Sequence, residues 1–496
     1  MRSRASCAGV QRRWLAVSTA EIPFNKGQAS GIDELAGALP MAINMLVDAG
    51  GAAFTRPGLL EWDEWPDPSC DDAGAGAVIG AAVWNSAVGE FLVYVTTDRR
   101  IWAMLGPNNR IALSDPTAAT QLDGTTRPTF ASTITRIVIA GGGLIQKWEG
   151  AGLSARLGGS PPVASHVVAN SRRLVVSAPI PPGEITFSET GDTGHEVWNT
   201  GDSDSAEAEA RPDLILATHE NSNEVYAFGS ETLQLFVPDP VSAYNAGRAS
   251  NFGLAAAYSV IRAGESFLLL AVSDGRVLAA TDGRGLTPLS EGLLDKALAR
   301  FETVADCWGF RAKIDAWDLA VWVFPTEGRT LVYDAITQQW SEWRSRSGGA
   351  WVPWAGTAHV YWPSRNLNLV GLTDGTMALL DGETFQDVGE PLVGLVRTGH
   401  MDRGSKKQKV CQGLALTMRR GGNASPAPAV AVRWREGLGA FSQPLTYSLG
   451  ANGETEATLR KWTLGVYTDR QWLLEFSANA RLVLAAATET YEEAEL

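Results

Sequence analysis

The sequence predicts an all-β protein, a seven-bladed β-propeller followed by a C-terminal β-sandwich. Three observations carry that expectation. A strand, a tight turn and a second strand recur along the middle of the chain. Turn-forming residues are abundant, with 52 Gly and 24 Pro in 496 residues. Helical periodicity is seldom sustained over three turns, which leaves short strands as the main element.

The clearest unit lies at 319–343. Ala320, Trp322 and Phe324 alternate at period two, residues 325–328 supply a turn, and Leu331 and Tyr333 resume the alternation. Tyr333 and Trp340 resemble the second half of a kelch-type blade, where an aromatic on one strand packs against a Trp on the next. Related units centre on Asp98, Gly142, Pro179, Gly229, Asp274, Glu327 and Asp374. The six steps from Asp98 to Asp374 cover 276 residues, a mean period of 46, which lies in the range of propeller blades. A ring of such units buries the apolar face that each would otherwise expose.

Taken in order, residues 1–20 read as a flexible basic extension without the apolar core of a secretion signal. Residues 21–75 read as an extended arm, expected to close the propeller by lending a strand to its last blade, and an acidic Trp- and Pro-bearing loop. The propeller spans 76–394. A basic linker near 395–409 opens the last unit, 395–496, whose apolar runs GLALTMRR, AVAVRWRE, RKWTLGVYT, WLLEFS and ARLVLAAA read as strands of a small sandwich. The acidic end, ETYEEAEL, reads as a frayed tail.

Composition excludes several functions. A net charge of −14 argues against general nucleic-acid binding, which depends on Lys and Arg neutralising phosphates. It is compatible with a conduit along which DNA slides. Cys7, Cys70, Cys307 and Cys411 show no metal-ligand spacing and read as thiols of a chain folded in a reducing cytoplasm. No uninterrupted apolar run reaches the length of a membrane span, so no direct lipid anchoring is expected. The 18 Trp read as packing between blades rather than a sugar-stacking platform.

Catalytic chemistry finds little footing. His166, His195, His219, His359 and His400 fall in no HxxxH or HExxH arrangement and beside no GxSxG elbow. Gly141, Gly142 and Gly143 precede a strand, so they read as a hairpin turn rather than a phosphate cradle. Ser188, Asp192, Gly194 and Trp198 resemble an Asp-box turn with altered spacing, itself a folding element. No catalytic, metal or cofactor residue is assigned, and no cofactor is expected. The one positive cluster is Lys406, Lys407 and Lys409, with Arg419 and Arg420 and then Arg433 and Arg435 on the following strands. It reads either as a solvated linker or as a docking surface for an acidic partner or DNA.

Several islands resemble the packaged-DNA stabilisation proteins, the tail hubs of short-tailed bacteriophages. Leu39-Pro40 with Asn44-Met45-Leu46, then Arg56-Pro57-Gly58, resemble that family's N-terminal signature. Pro212-Asp213, Phe228-Gly229, Thr232 and Phe236 resemble a middle blade, LVYDAITQQW a late one, and Leu464-Gly465 with Asp469-Arg470 the C-terminal domain. ITFSETGD is similar to a further family strand. Gln234 departs from the pattern, which leads one to expect an acidic residue there.

The resemblance implies a non-enzymatic virion protein, folded in the host bacterial cytoplasm. Six copies would form a ring under the portal and its adaptor, through a heterologous contact between neighbours. The ring would retain packaged DNA, touching it transiently, and anchor the tail needle and the tailspikes or fibres. Two other readings stand beside it. One is a virion-borne propeller glycosidase or depolymerase with an acidic pair in its central channel. The other is a lectin-like receptor-binding protein using exposed Trp.

Overall fold

A strand fits the 319–343 stretch as read. In the computed structural model Trp317–Phe324 pairs antiparallel with Trp308–Ile314 on one side and Arg329–Asp334 on the other. Gln339–Glu342 completes the sheet, with Tyr333 opposite Trp340 and their rings 5.0 Å apart. The structure describes residues 17–22, 42–48, 50–65, 76–106, 109–114, 122–177, 183–198, 205–208, 213–420, 428–449, 456–477 and 480–493. Cys7, Cys70, Leu39-Pro40, Pro179 and Pro212 lie outside them.

The chain is all-β, with a β-propeller at its centre. Six blades follow one another along the chain, at 78–112, 129–156, 166–207, 215–250, 253–288 and 308–342. Their second strands read as unbroken apolar runs because both faces meet a neighbour. Ile137–Ala140 is buried at every position, whereas Trp308–Ile314, an inner strand, alternates. The apolar cores lie between successive blades: Trp84 and Trp148 between the first two, Phe187 and Phe236 between the third and fourth, Trp322 and Leu278 between the fifth and sixth.

A further sheet, Gly356–Trp362, Leu367–Leu372 and Met377–Asp381, packs on the sixth blade through Val370 and Trp308 and on the first through Val360 and Tyr94. Its outer strand comes from the arm, because Gly58–Glu61 pairs antiparallel with Met377–Asp381. Among the described residues one α-helix interrupts the strands, Leu293–Arg300, which the sequence did not signal. It buries Leu294 and Leu298 at a spacing of four, and Arg276 donates to the Phe301 carbonyl at its end at 2.6 Å.

Two sheets make the C-terminal unit and bury Leu414, Leu416, Val430, Trp472, Leu474 and Leu484 between them. One holds Lys409–Arg420, Glu456–Trp462 and Leu482–Glu493; the other holds Val393–Arg397, Ala429–Arg435, Leu445–Ser448 and Gln471–Ser477. The arm feeds both. Met45–Val47 and Ala53–Thr55 extend the first sheet. Ala42–Ile43 sits between Gln339–Glu342 of the sixth blade and Val393–Arg397, so one sheet runs from propeller into the last unit.

Three expected boundaries are corrected. Ser18–Glu21 is a strand paired with Leu482–Glu493, so the expected flexible extension ends before residue 18. Val393–Arg397 already belongs to the last unit, ahead of the expected start at 395. The acidic tail is not frayed through Glu493, because Lys409↔Glu493 closes a 12-residue strand.

Candidate functional site

Neighbouring strands of a blade alternate in direction. The first strand of each blade lines the axis and starts on the face that also carries the turn between its second and third strands. Side chains from distant blades meet there. Arg127, just ahead of the second blade, donates from Nη2 to the Thr357 carbonyl of the further sheet at 2.5 Å and lies 4.5 Å over the Trp308 ring of the sixth blade. His166 of the third blade stacks on Tyr258 of the fifth at 4.8 Å and meets His219 of the fourth edge-on at 6.2 Å. Phe310 stacks on His359 at 4.3 Å. Contacts that skip neighbouring blades cross the axis, so side chains fill this part of it.

Burial sets the charge of these groups. It pushes His166 down to about 3, with His219 adding to the effect, and both His219 and His359 to about 4. All three imidazoles are therefore neutral near pH 7. Burial also lowers Arg127 to about 10, which leaves it charged. The buried thiols are held protonated: Cys411 is pushed up to about 12 and Cys307 well above its ordinary value, both by burial. Neither is an activated nucleophile. The described groups in contact across the axis are guanidinium, imidazole and aromatic.

Asn44, Arg56 and Gly58 of the arm form a second buried cluster. Asn44, at φ 55°, donates from Nδ2 to the carbonyls of Arg344 and Val393 at 2.8 and 2.9 Å. Its Oδ1 accepts from the Arg344 amide and from Arg56 Nε, both at 2.9 Å. Arg56 is fully buried, pairs with Asp387 at 2.6 Å and lies 5.2 Å over Trp343. Gly58 runs so close to the next segment that a Cβ there would sit 2.4 Å from the Gln386 carbonyl oxygen. These residues clasp the arm to the sixth blade, the further sheet and the last unit together.

The other islands hold structural contacts as well. Asp213 accepts from the amides of Glu231 and Thr232 and from the Thr232 hydroxyl, locking a blade turn. Gln234 donates from Nε2 to the carbonyls of Leu235, Gly247 and Arg248. A carboxylate could not donate to that carbonyl cluster, which gives the amide at this position a physical reason. Arg470 is fully buried, with the Tyr467, Trp472 and Trp434 rings 4.3, 5.3 and 5.7 Å from its Cζ.

The basic cluster does not form the patch read from the sequence. Lys409 is fully buried and donates to the carbonyls of Ser405, Lys407 and Thr468. Lys406 is exposed and paired with Asp402 at 2.8 Å, and Lys407 is half-buried. Arg419 is exposed at the far end of Lys409–Arg420, about 33 Å away at a strand's rise per residue. The Arg420 side chain lies outside the described residues. Arg435 is buried, donating to Gln471 at 2.6 Å.

The Asp-box-like insertion is a staple between blades. Trp198 is buried in the core between the second and third blades, and Glu196 pairs with Arg136 at 2.8 Å and with Lys147, both of the second blade. Asp192 is exposed. The Trp are mostly structural: Trp84, Trp148, Trp322 and Trp343 are among the largest fully buried side chains, and Trp462 is the most exposed of those described, at 61%.

No family model and no curated protein matches the sequence. Among solved structures, the chain is similar to the WD40 domain of Neurospora crassa Pan2, with a TM-score of 0.41 and 11% identity over 66% of this chain and 94% of that one. The propeller is read from the sheets themselves. Among the described residues no group of His, Cys, Asp or Glu is placed to hold a metal ion, and no helix is long and apolar enough to cross a membrane.

The sequence reading did not single out the axial cluster, because its members are single residues spread over 230 positions. The available signal was their common place: Arg127, His166, Trp308 and Thr357 all lie within a residue or two of the start of an inner strand.

Proposed function

We propose that this chain is a structural virion protein, a tail hub that completes the head of a short-tailed bacteriophage and retains its packaged DNA. The observation that carries the reading is the ordered series of signature residues. Asn44, Arg56, Gly58, Asp213, Thr232 and Arg470 each sit in a tight contact that fixes the arm, a blade turn or the last unit. In this reading the 356–381 sheet, closed by Gly58–Glu61, is the seventh blade. The two sheets around the C-terminal core are the β-sandwich.

Six copies form a ring below the portal and adaptor and offer outer faces to the tail needle and to tailspikes or fibres. Because side chains fill the propeller's own axis, DNA passes along the axis of the ring, between copies. A net charge of −14 keeps that contact transient. The test is the mass and stoichiometry of the chain mixed with portal and adaptor assemblies from a short-tailed phage. Six copies joining each portal ring are expected. A chain that stays alone while hydrolysing a host polysaccharide, with activity lost on one acid-to-amide change, would replace this reading with the glycosidase.

A further inference from the structure

Two arginines whose partners among the described residues are carbonyls and a ring sit at the mouth of the propeller axis of an acidic chain. Arg99 occupies the turn between the second and third strands of the first blade, at φ 68°, a costly conformation for a side-chain-bearing residue. Its Nη1 and Nη2 donate to the carbonyls of Thr126 and Thr125 at 2.7 and 2.6 Å. Arg127 follows directly in sequence, and both guanidiniums lie within electrostatic reach of the Tyr258 hydroxyl. Among the described residues neither arginine contacts a carboxylate; their partners are backbone carbonyls and the Trp308 ring.

Two hydroxyls complete the group. Tyr258 Oη and Thr126 Oγ1 face each other, buried, within hydrogen-bonding reach of one another. A guanidinium carries five N–H donors. Arg99 spends two and Arg127 one on carbonyls, so most remain free. All four residues keep partial exposure, although the two hydroxyl oxygens themselves are enclosed.

We propose that Arg99, Thr126, Arg127 and Tyr258 form a phosphate-binding subsite at the mouth of the propeller axis. Forked cationic donors with two hydroxyls suit the several oxygens of a phosphoryl group better than the two of a carboxylate. Free polyphosphate and the terminal phosphate of a nucleic acid share this chemistry. The site stands independently of the hub reading.

The test is calorimetric titration of the full chain at low salt with pyrophosphate, followed by competition with a 5′-phosphorylated oligonucleotide. One pyrophosphate per chain is expected, weakened roughly ten- to hundredfold by Arg99→Gln, the loss of charge-assisted hydrogen bonds. Arg127 bridges distant blades and its removal could unfold the ring. Arg99→Gln and Tyr258→Phe are therefore the deciding variants, with unchanged thermal unfolding as their control. Competition by the oligonucleotide assigns the phosphate to nucleic acid, and its failure assigns it to a free polyphosphate. Absent pyrophosphate binding, equal binding of citrate, or affinity unchanged in folded Arg99→Gln would overturn the proposal.

Discussion

Replacing Arg56 with Met tests whether the clasp holds the two units together. The side chain is fully buried and its Nη2 pairs with Asp387 at 2.6 Å, while Nε and Nη1 serve Asn44 Oδ1 and the Pro57 carbonyl at 2.9 and 2.7 Å. Met fills similar apolar volume against Trp343 but leaves the Asp387 carboxylate buried, with the Ser345 hydroxyl at 3.0 Å its one remaining side-chain donor among the described residues. Removing one partner of a buried ion pair costs about 3–5 kcal/mol, a large share of the roughly 5–15 kcal/mol that holds a folded protein. Urea unfolding read by Trp fluorescence measures it, since Trp343 lies directly under the guanidinium. Asp387→Asn should cost a comparable amount, and the double variant should cost less than the sum by at least about 1 kcal/mol, because no stranded charge remains. A loss under about 1 kcal/mol for Arg56→Met, or strict additivity, would refute the clasp.

Three other outcomes are expected. The buried His166, His219 and His359 have folded values near 3, 4 and 4, so the unfolded chain takes up protons first as pH falls. Their neutrality costs nothing above about pH 6.5, and stability drops below it by about 1.4 kcal/mol per pH unit per imidazole. Urea midpoints should fall between pH 7 and pH 5, and fall less in His219→Gln; equal slopes in the two proteins would contradict this origin. Lys409→Met strands three carbonyls and should cost about 2 kcal/mol or more, whereas exposed Lys406→Ala should stay within about 0.5 kcal/mol by the same assay. Gly58→Ala sets a Cβ 2.4 Å from the Gln386 carbonyl oxygen, forcing backbone to move at about 1–3 kcal/mol; an unchanged midpoint would show that the arm strand is not pinned there.

The propeller was legible where strands are buried on both faces. Asp98, Gly142, Asp274, Glu327 and Asp374 all mark the turn between the second and third strands of a sheet, so the 46-residue period was measured between equivalent points. Those two strands carry the apolar runs and the tight turns. Outer strands such as Ala155–Arg156, exposed at both residues, leave no comparable signal. The arm's course was only partly readable. Its short strands carry no period long enough to name a partner, and Thr55 finds its place by hydrogen bonding Leu482, 427 residues away. Register over such separations is set by tertiary packing.

The same geometry explains what happened to the expected site. Lys406, Lys407, Lys409, Arg419 and Arg420 are close in sequence but divided by one 12-residue strand, so extension separates what proximity in sequence grouped. Arg127, His166, Tyr258 and Trp308 are far apart in sequence and meet because every blade returns to the axis once. The signature residues belong to neither group; they tie segments together. Ala42–Ile43 joins the sixth blade to Val393–Arg397 through backbone pairing, and Asn44 and Arg56 lock the same junction from the side. Rotation of the last unit against the propeller would have to break that continuous sheet and a buried ion pair at once. The arm therefore makes one mechanical body of two cores.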